Sequence, residues 1–409
     1  MPPVRSGVAA YSAELLPRLR EAHVIDTYPE ESAHDFVWRA RQQPYDLVVY
    51  QLGNAPCHDY MWAYLAPYPG LVVLHDARLH QARARRLLND RRFDDYRREL
   101  HYDQPDLNPD VAEYAIEGLG GPIYYFWSMT RVVMRTARTV AVHNARVAGD
   151  LADACPDAPG VPIETIRMGV RRLAADPDAR ARVRRELSLP DRAVVFAAFG
   201  KITAEKRIST ILRSLGALAR EGRDVHLLLV GGDEGYPRLA DEIADCGVRG
   251  QVRVTGHVSD AEAAGYLDAS DACVCLRWPT AQETSASWLR CLAARRATVI
   301  TDLAHLADTP PDVATRVDLI DEGPSLLSAM RRLAADEPWR EELARAGHAY
   351  WTAHHTLDAM ADDYRSLIAR VVRRSPPKPV DLPEHFLADH SMSARRLAAE
   401  IGVAIDILE

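Results

Sequence analysis

Short runs of Val, Ile and Leu punctuate this chain, and most end in glycine or a polar residue. In the first half they are Ala22–Ile25, Tyr45–Leu52, Gly70–His75, Thr139–His143 and Ile163–Ile166. In the second half they are Ala193–Phe199, Val225–Val230, Val252–Thr255, Ala272–Leu276 and Thr298–Thr301. Runs that are apolar on both faces suit strands of a parallel sheet. Helical patterns fall between them, for example Ser12–Leu19, Ala261–Leu267 and Ser285–Ala294. Strand–helix–strand repetition predicts an α/β protein built from βαβ units, with one doubly wound sheet in each half.

A length of 409 residues fits two such domains. The boundary falls near residue 172, after the last strand of the first half. A net charge of −8 speaks against a dedicated nucleic-acid binder. No apolar run approaches the roughly 20 residues of a membrane-spanning helix, and no signal core follows the N-terminus, so a cytoplasmic protein is expected. The six cysteines lack zinc-finger spacing, and Cys273 and Cys275 alternate along one strand, where packing explains them. The segment from Arg78 to Arg138 reads as mainly helical. Its mixed charges over 83–98 predict a solvated, ion-paired face, with contact to an anionic membrane surface as the alternative. Residues 375–409 read as a Pro-rich linker and a helical tail containing an amphipathic stretch, Ser393–Ile401.

Lysine is rare here. Of 50 Lys and Arg residues only Lys201, Lys206 and Lys378 are lysines. The first two follow the strand run Ala193–Phe199 and the turn at Gly200. A compact ammonium in the loop after a buried strand, ahead of a helix, suits a phosphate oxygen. A second segment, Arg277-Trp-Pro-Thr-Ala-Gln-Glu-Thr-Ser285, leaves a strand and opens a helix, whose exposed N–H groups favour anions. Simple helix capping by Glu283 and Thr284 is the plain alternative. Ligands of open α/β sheets lie beyond the carboxyl ends of the strands. The residues to inspect there are Gly53, Asn54, His75, Asp76, His143 and Asn144 in the first half. In the second half they are Gly200, Lys201, Lys206, Gly231, Gly232, Gly256, His257 and 277–284.

The order Gly200-Lys201-x4-Lys206, Gly231-Gly232, Gly256-His257-Val258 and Pro279-Thr280-x2-Glu283-Thr284-Ser285 resembles the retaining glycosyltransferases of the GT-B fold, family 4. Pro2–Leu16 is similar to that family's first loop and helix, and Val73–Asp76 to a later strand end. The resemblance spans about residues 1–372. It implies two Rossmann-like, doubly wound domains facing across a cleft. The acceptor domain would cover 1–172 and the nucleotide-sugar donor domain 173–349. Helices over 350–374 would cross back to the first domain. It further implies that Gly7, Lys201, Lys206, Thr284 and Ser285 hold the donor diphosphate, and that Gly231, Gly256, His257 and Val258 border the nucleotide. Glu283 would contact donor sugar hydroxyls, and His75 would sit near the reacting carbon.

Two departures from the pattern stand out. The family's second glutamate, which binds ribose, falls at Cys291, beside Arg290. The chain also opens inside the loop that should follow the first strand, so that strand is expected to be missing. The resulting expectation is a metal-independent, retaining transfer of a hexosyl-type sugar from a nucleotide-diphosphate donor to a small-molecule, lipid-linked or glycan hydroxyl acceptor. No cofactor or metal ligand is expected. The alternatives are a catalytically inactive scaffold that binds a partner, and a sugar-nucleotide epimerase or hydrolase.

Overall fold

The computed structural model describes residues 6–155, 160–173, 178–378 and 381–387. Contacts divide the chain into two compact units. One comprises Met1–Thr27, Val142–Gly149 and Thr165–Leu367; the other comprises Tyr28–Ala141, Asp150–Glu164 and Ile368–Glu409. The chain passes between them several times.

Among the described residues, ten strands form two sheets, and every strand pairing described is parallel. The smaller sheet has the order β1-β2-β3-β4, with β1 Val49–Leu52, β2 Leu71–Leu74, β3 Thr139–Val142 and β4 Ile163–Thr165. Its two middle strands are buried throughout, in keeping with their largely apolar sequences. Around it lie the helices His80–Asn89 and Phe93–Asp103 and shorter helical turns to Thr136. The expected solvated face is present. Arg92 and Arg98 pair with Asp95, and Arg97 pairs with Asp94 and Glu113. One pair, Arg83 with Glu99, is buried instead. The guanidinium of Arg83 also packs on Trp62 and on Phe386 of the short helix Glu384–Leu387. The expected helix Ser393–Ile401 lies outside the described residues.

The larger sheet holds β5 Val194–Phe199, β6 Val225–Val230, β7 Val252–Val254, β8 Ala272–Cys275, β9 Ala297–Thr301 and β10 Thr315–Val317. Its order is β10-β9-β8-β5-β6-β7. Counted from β5 this is 3-2-1-4-5-6, the doubly wound nucleotide-binding order. Alternate residues face opposite layers. Phe196, Ala198, Leu227 and Leu229 join one buried cluster, with Ile211, Leu215 and Leu333. Val195, Ala197, Leu228, Val230 and Cys273 join the other, with Val183, Leu267 and Cys291. Burial of both faces is why these strands read as continuous apolar runs. All six cysteines are free, in line with the packing role expected for Cys273 and Cys275.

Two sequence expectations change. Ala22–Ile25 is not a strand; Val24 is fully exposed, so no burial favours pairing there. Conversely, Thr315–Val317 forms the edge strand β10, too short and too polar to signal itself. The first described helix runs Gly7–Leu19. That helix groups with the larger sheet's unit. Tyr11 and Tyr364 share a hydrogen bond of 2.7 Å, tying it to the helix Leu357–Val371.

Candidate functional site

The order of the larger sheet reverses between β5 and β8. This is the switch point beyond which ligands of such sheets bind. β5 pairs with β6 over its whole length, but with β8 only at Phe196 and Ala197. The last residues of β5 and β8 therefore part, and a pocket of about 50 Å³ opens between them. Phe199, Lys206, Cys275, Arg277, Thr280, Glu283, Ser285 and Ser287 line it. A larger cavity of about 800 Å³ runs along β10 and the helix Glu337–His354. None of the strand-end residues singled out above lines that cavity, so size alone does not locate the chemistry.

The loop after β5 carries Lys206 back into the pocket. Gly200 takes a left-handed φ of 85°, and a Cβ there would lie 2.8 Å from the Lys206 amine. Glycine adopts that left-handed turn without strain. Arg207 is also left-handed, at φ 59°, and turns the chain from the Lys206 loop into the helix Ile208–Arg220. The amine donates to the carbonyl of Phe199. Burial, reinforced by the nearby Arg277 charge, pushes its pKa down from 10.5 to about 7.

The loop after β8 is fastened where it leaves the strand. Arg277 N donates to Thr301 Oγ1 at 3.0 Å, and Trp278 N donates to Glu205 O at 2.7 Å. The second bond reaches the residue before Lys206, so the two loops are stitched together. Gln282 at φ 61° then turns the chain so that Glu283 folds back. Its Oε2 accepts from Thr280 Oγ1 at 2.8 Å and Ala281 N at 3.0 Å. Its Oε1 lies 2.7 Å from Arg277 Nε. Capping of the following helix, Ala286–Ala293, falls to Ser285, whose Oγ accepts from Trp288 N at 3.2 Å. Glu283 and Thr284 do not cap it.

Lys206, Glu283 and Ser285 thus meet in one pocket. Lys201 is exposed and does not line it; an added Cβ at Gly235 would lie 3.8 Å from its amine. Gly231 has a packing reason: a Cβ there would stand 2.3 Å from Gly200 O. Gly256 is left-handed at φ 71°, His257 is exposed, and Val258 packs on the cluster around Cys291. The turn leads to a capping box between Ser259 and Glu262. Gly7 begins a helix capped by Ser6, and nothing crowds it. Farther along that helix, Glu14 accepts from Arg290 at 2.9 Å and Arg171 at 3.0 Å. Both guanidinium groups also pair with Asp260. Where the family carries its second glutamate, Cys291 is fully buried and Arg290 is tied into this ionic cluster.

His75 belongs to the other unit. It follows β2, and its Nε2 lies 2.7 Å from Gln51 Oε1 at the end of β1. Asp76 beside it accepts from Asn54 N at 2.7 Å. Ser287, Thr301 and His305 also line the pocket at the switch point and were not singled out from sequence. Thr301 ends its strand and was open to the strand-end argument; His305 enters from a turn whose position only the fold sets.

Residues 193–336 match the family model described as Glycosyl transferases group 1. The alpha-D-kanosaminyltransferase of Streptomyces kanamyceticus is 26% identical over 262 residues, covering 61% of this chain and 67% of that protein. The solved structure of WaaG, a glycosyltransferase involved in lipopolysaccharide biosynthesis, superposes with a TM-score of 0.62 at 12% identity, over 89% of this chain and 96% of that one. This protein is a glycosyltransferase of the GT-B fold. A further structural neighbour, Anabaena HepE solved with UDP and glucose, has a TM-score of 0.60 at 13% identity over 83% of this chain and 82% of its own. Among the described residues, no helix of this glycosyltransferase is long and apolar enough to cross a membrane.

Proposed function

We propose that this glycosyltransferase moves a sugar from a nucleotide-diphosphate donor to a hydroxyl acceptor, with retention at the anomeric carbon and without a divalent metal, as a member of family 4. The observation that carries the reading is the pocket between the ends of β5 and β8. There the Lys206 amine, the start of the helix Ala286–Ala293 and the carboxylate of Glu283 line one space. As the glycosidic bond breaks, the departing diphosphate gains negative charge while the sugar becomes oxocarbenium-like. An ammonium at Lys206 and the N–H groups after Ser285 stabilise that growing charge more than they stabilise bound donor, which is the requirement for catalysis. In this scheme fixed cations do the work of a Lewis acid. Glu283 uses both oxygens within its own loop and keeps one lone pair, on Oε1, for a sugar hydroxyl. The HepE structure with UDP and glucose makes UDP-glucose the first donor to try.

The test is a panel of UDP-, GDP-, dTDP- and ADP-sugars. Thermal stabilisation of the protein and release of nucleoside diphosphate would be followed by mass spectrometry, with and without EDTA. One donor class is expected to stabilise the protein and to turn over equally in EDTA, giving a product with the donor's anomeric configuration by NMR. Strict metal dependence would remove the cationic scheme. An inverted product would remove retention. If no donor stabilises the protein, the inactive scaffold becomes the better reading.

A further inference from the structure

Arg277 has no role in the resemblance, yet its backbone and that of Trp278 are anchored to both neighbouring elements at the switch point. It follows β8 directly, after the buried Leu276. Its backbone is anchored to the end of β9 through Thr301 Oγ1. The next residue is anchored to the Lys206 loop through Glu205 O. The side chain is 34% exposed and lines the same pocket as the Lys206 amine. Glu283 holds it by Nε alone, at 2.7 Å, and among the described residues no other carboxylate pairs with it. An arginine gripped at Nε keeps its outer edge of terminal N–H groups, the edge suited to phosphate oxygens.

The pocket gathers two basic side chains, Arg277 and Lys206, around the same space as one carboxylate, and the positive end of the helix Ala286–Ala293 opens beside them. Such a lining suits an anion that reaches both basic groups. We propose that Arg277 binds the diphosphate of a nucleoside diphosphate beside Lys206, with Glu283 as the positioning residue that holds the guanidinium toward the pocket. The assignment rests on the nucleotide-sugar reading above. It gives Glu283 a duty toward a protein side chain, in addition to the one the resemblance implies toward the donor sugar.

The experiment is isothermal titration of the full chain with UDP, GDP, dTDP and ADP, with the corresponding nucleosides, and with inorganic pyrophosphate. The variants are Arg277→Gln, Arg277→Lys and the double variant Arg277→Gln with Glu283→Gln. For the nucleoside diphosphate that the wild type binds, Arg277→Gln is expected to raise Kd at least tenfold and to weaken its salt dependence. Nucleoside affinity should stay within about twofold, and Arg277→Lys should recover part of the loss. The double variant should remain weak, because the deficit is a missing cation and not an orphaned carboxylate. The proposal is overturned if Arg277→Gln binds the diphosphate like the wild type. It is also overturned if nucleoside and diphosphate weaken together, or if the double variant regains affinity. Should the wild type bind neither nucleoside diphosphates nor pyrophosphate, the nucleotide-sugar reading fails first and this assignment goes with it.

Discussion

Donor affinity should fall steeply as pH rises, because the Lys206 amine is held near neutrality. Its pKa of about 7 reflects burial first and the Arg277 charge second. The sign follows from which form binds: the ammonium form grips an anion, it prevails below pH 7, and it is lost above. A bound diphosphate supplies the missing counter-charge and returns the amine toward its ordinary range. Moving from 10.5 to about 7 sets a ceiling of about 5 kcal/mol on that coupling. Water at the pocket mouth lowers it to a few kcal/mol. At pH 7 about half of the empty sites carry the ammonium, and at pH 9 about one in a hundred, so Kd for the donor should rise about 50-fold across that interval. Hydrogen bonding to Cys273 and Cys275 and burial push the Cys291 thiol well above its usual value. Cys275→Ser removes the remaining nearby thiol and should leave the profile in place. The assay is titration of a nucleotide-diphosphate sugar from pH 6.5 to 9, in buffers of differing ionisation enthalpy, to count protons taken up. A Kd constant within twofold over that range, or the same slope in Lys206→Arg, would refute the reasoning.

Two further substitutions separate chemistry from packing. Lys206→Met should lower turnover by about 10²–10³ while leaving thermal stability unchanged or higher, since a buried amine with a lowered pKa does not favour the fold; near-normal turnover would remove Lys206 from the mechanism. Gly231→Ala should destabilise by about 2–4 kcal/mol, because the new methyl would stand 2.3 Å from Gly200 O and 3.1 Å from Lys201 N; a melting temperature within about 1 °C of wild type would show that the loop yields freely.

Much of the larger sheet was legible because its strands are buried on both faces and so are written as unbroken apolar runs. Val225–Val230 matches residue for residue. The edge strand Thr315–Val317 was not legible, since three residues with one buried side chain carry almost no pattern. Ala22–Ile25 has strand-like composition, but composition records what a residue prefers and not whether a partner strand lies beside it. Gly231 shows a similar limit. Its place after a strand suggested a ligand, whereas the close approach of Gly200 explains the glycine without one.

What the sequence determined on its own was the α/β class with parallel strands, because burial periodicity is a local property of the chain. Which side chains act together was decided by tertiary structure. Lys201 and Lys206 lie five positions apart in sequence, yet only Lys206 lines the pocket. Arg277, distant in sequence, joins Lys206 because β5 and β8 become neighbours at the point where the strand order reverses. Electrostatic partnership depends on distance in space and on exclusion of water, and both are set only once the sheet has assembled.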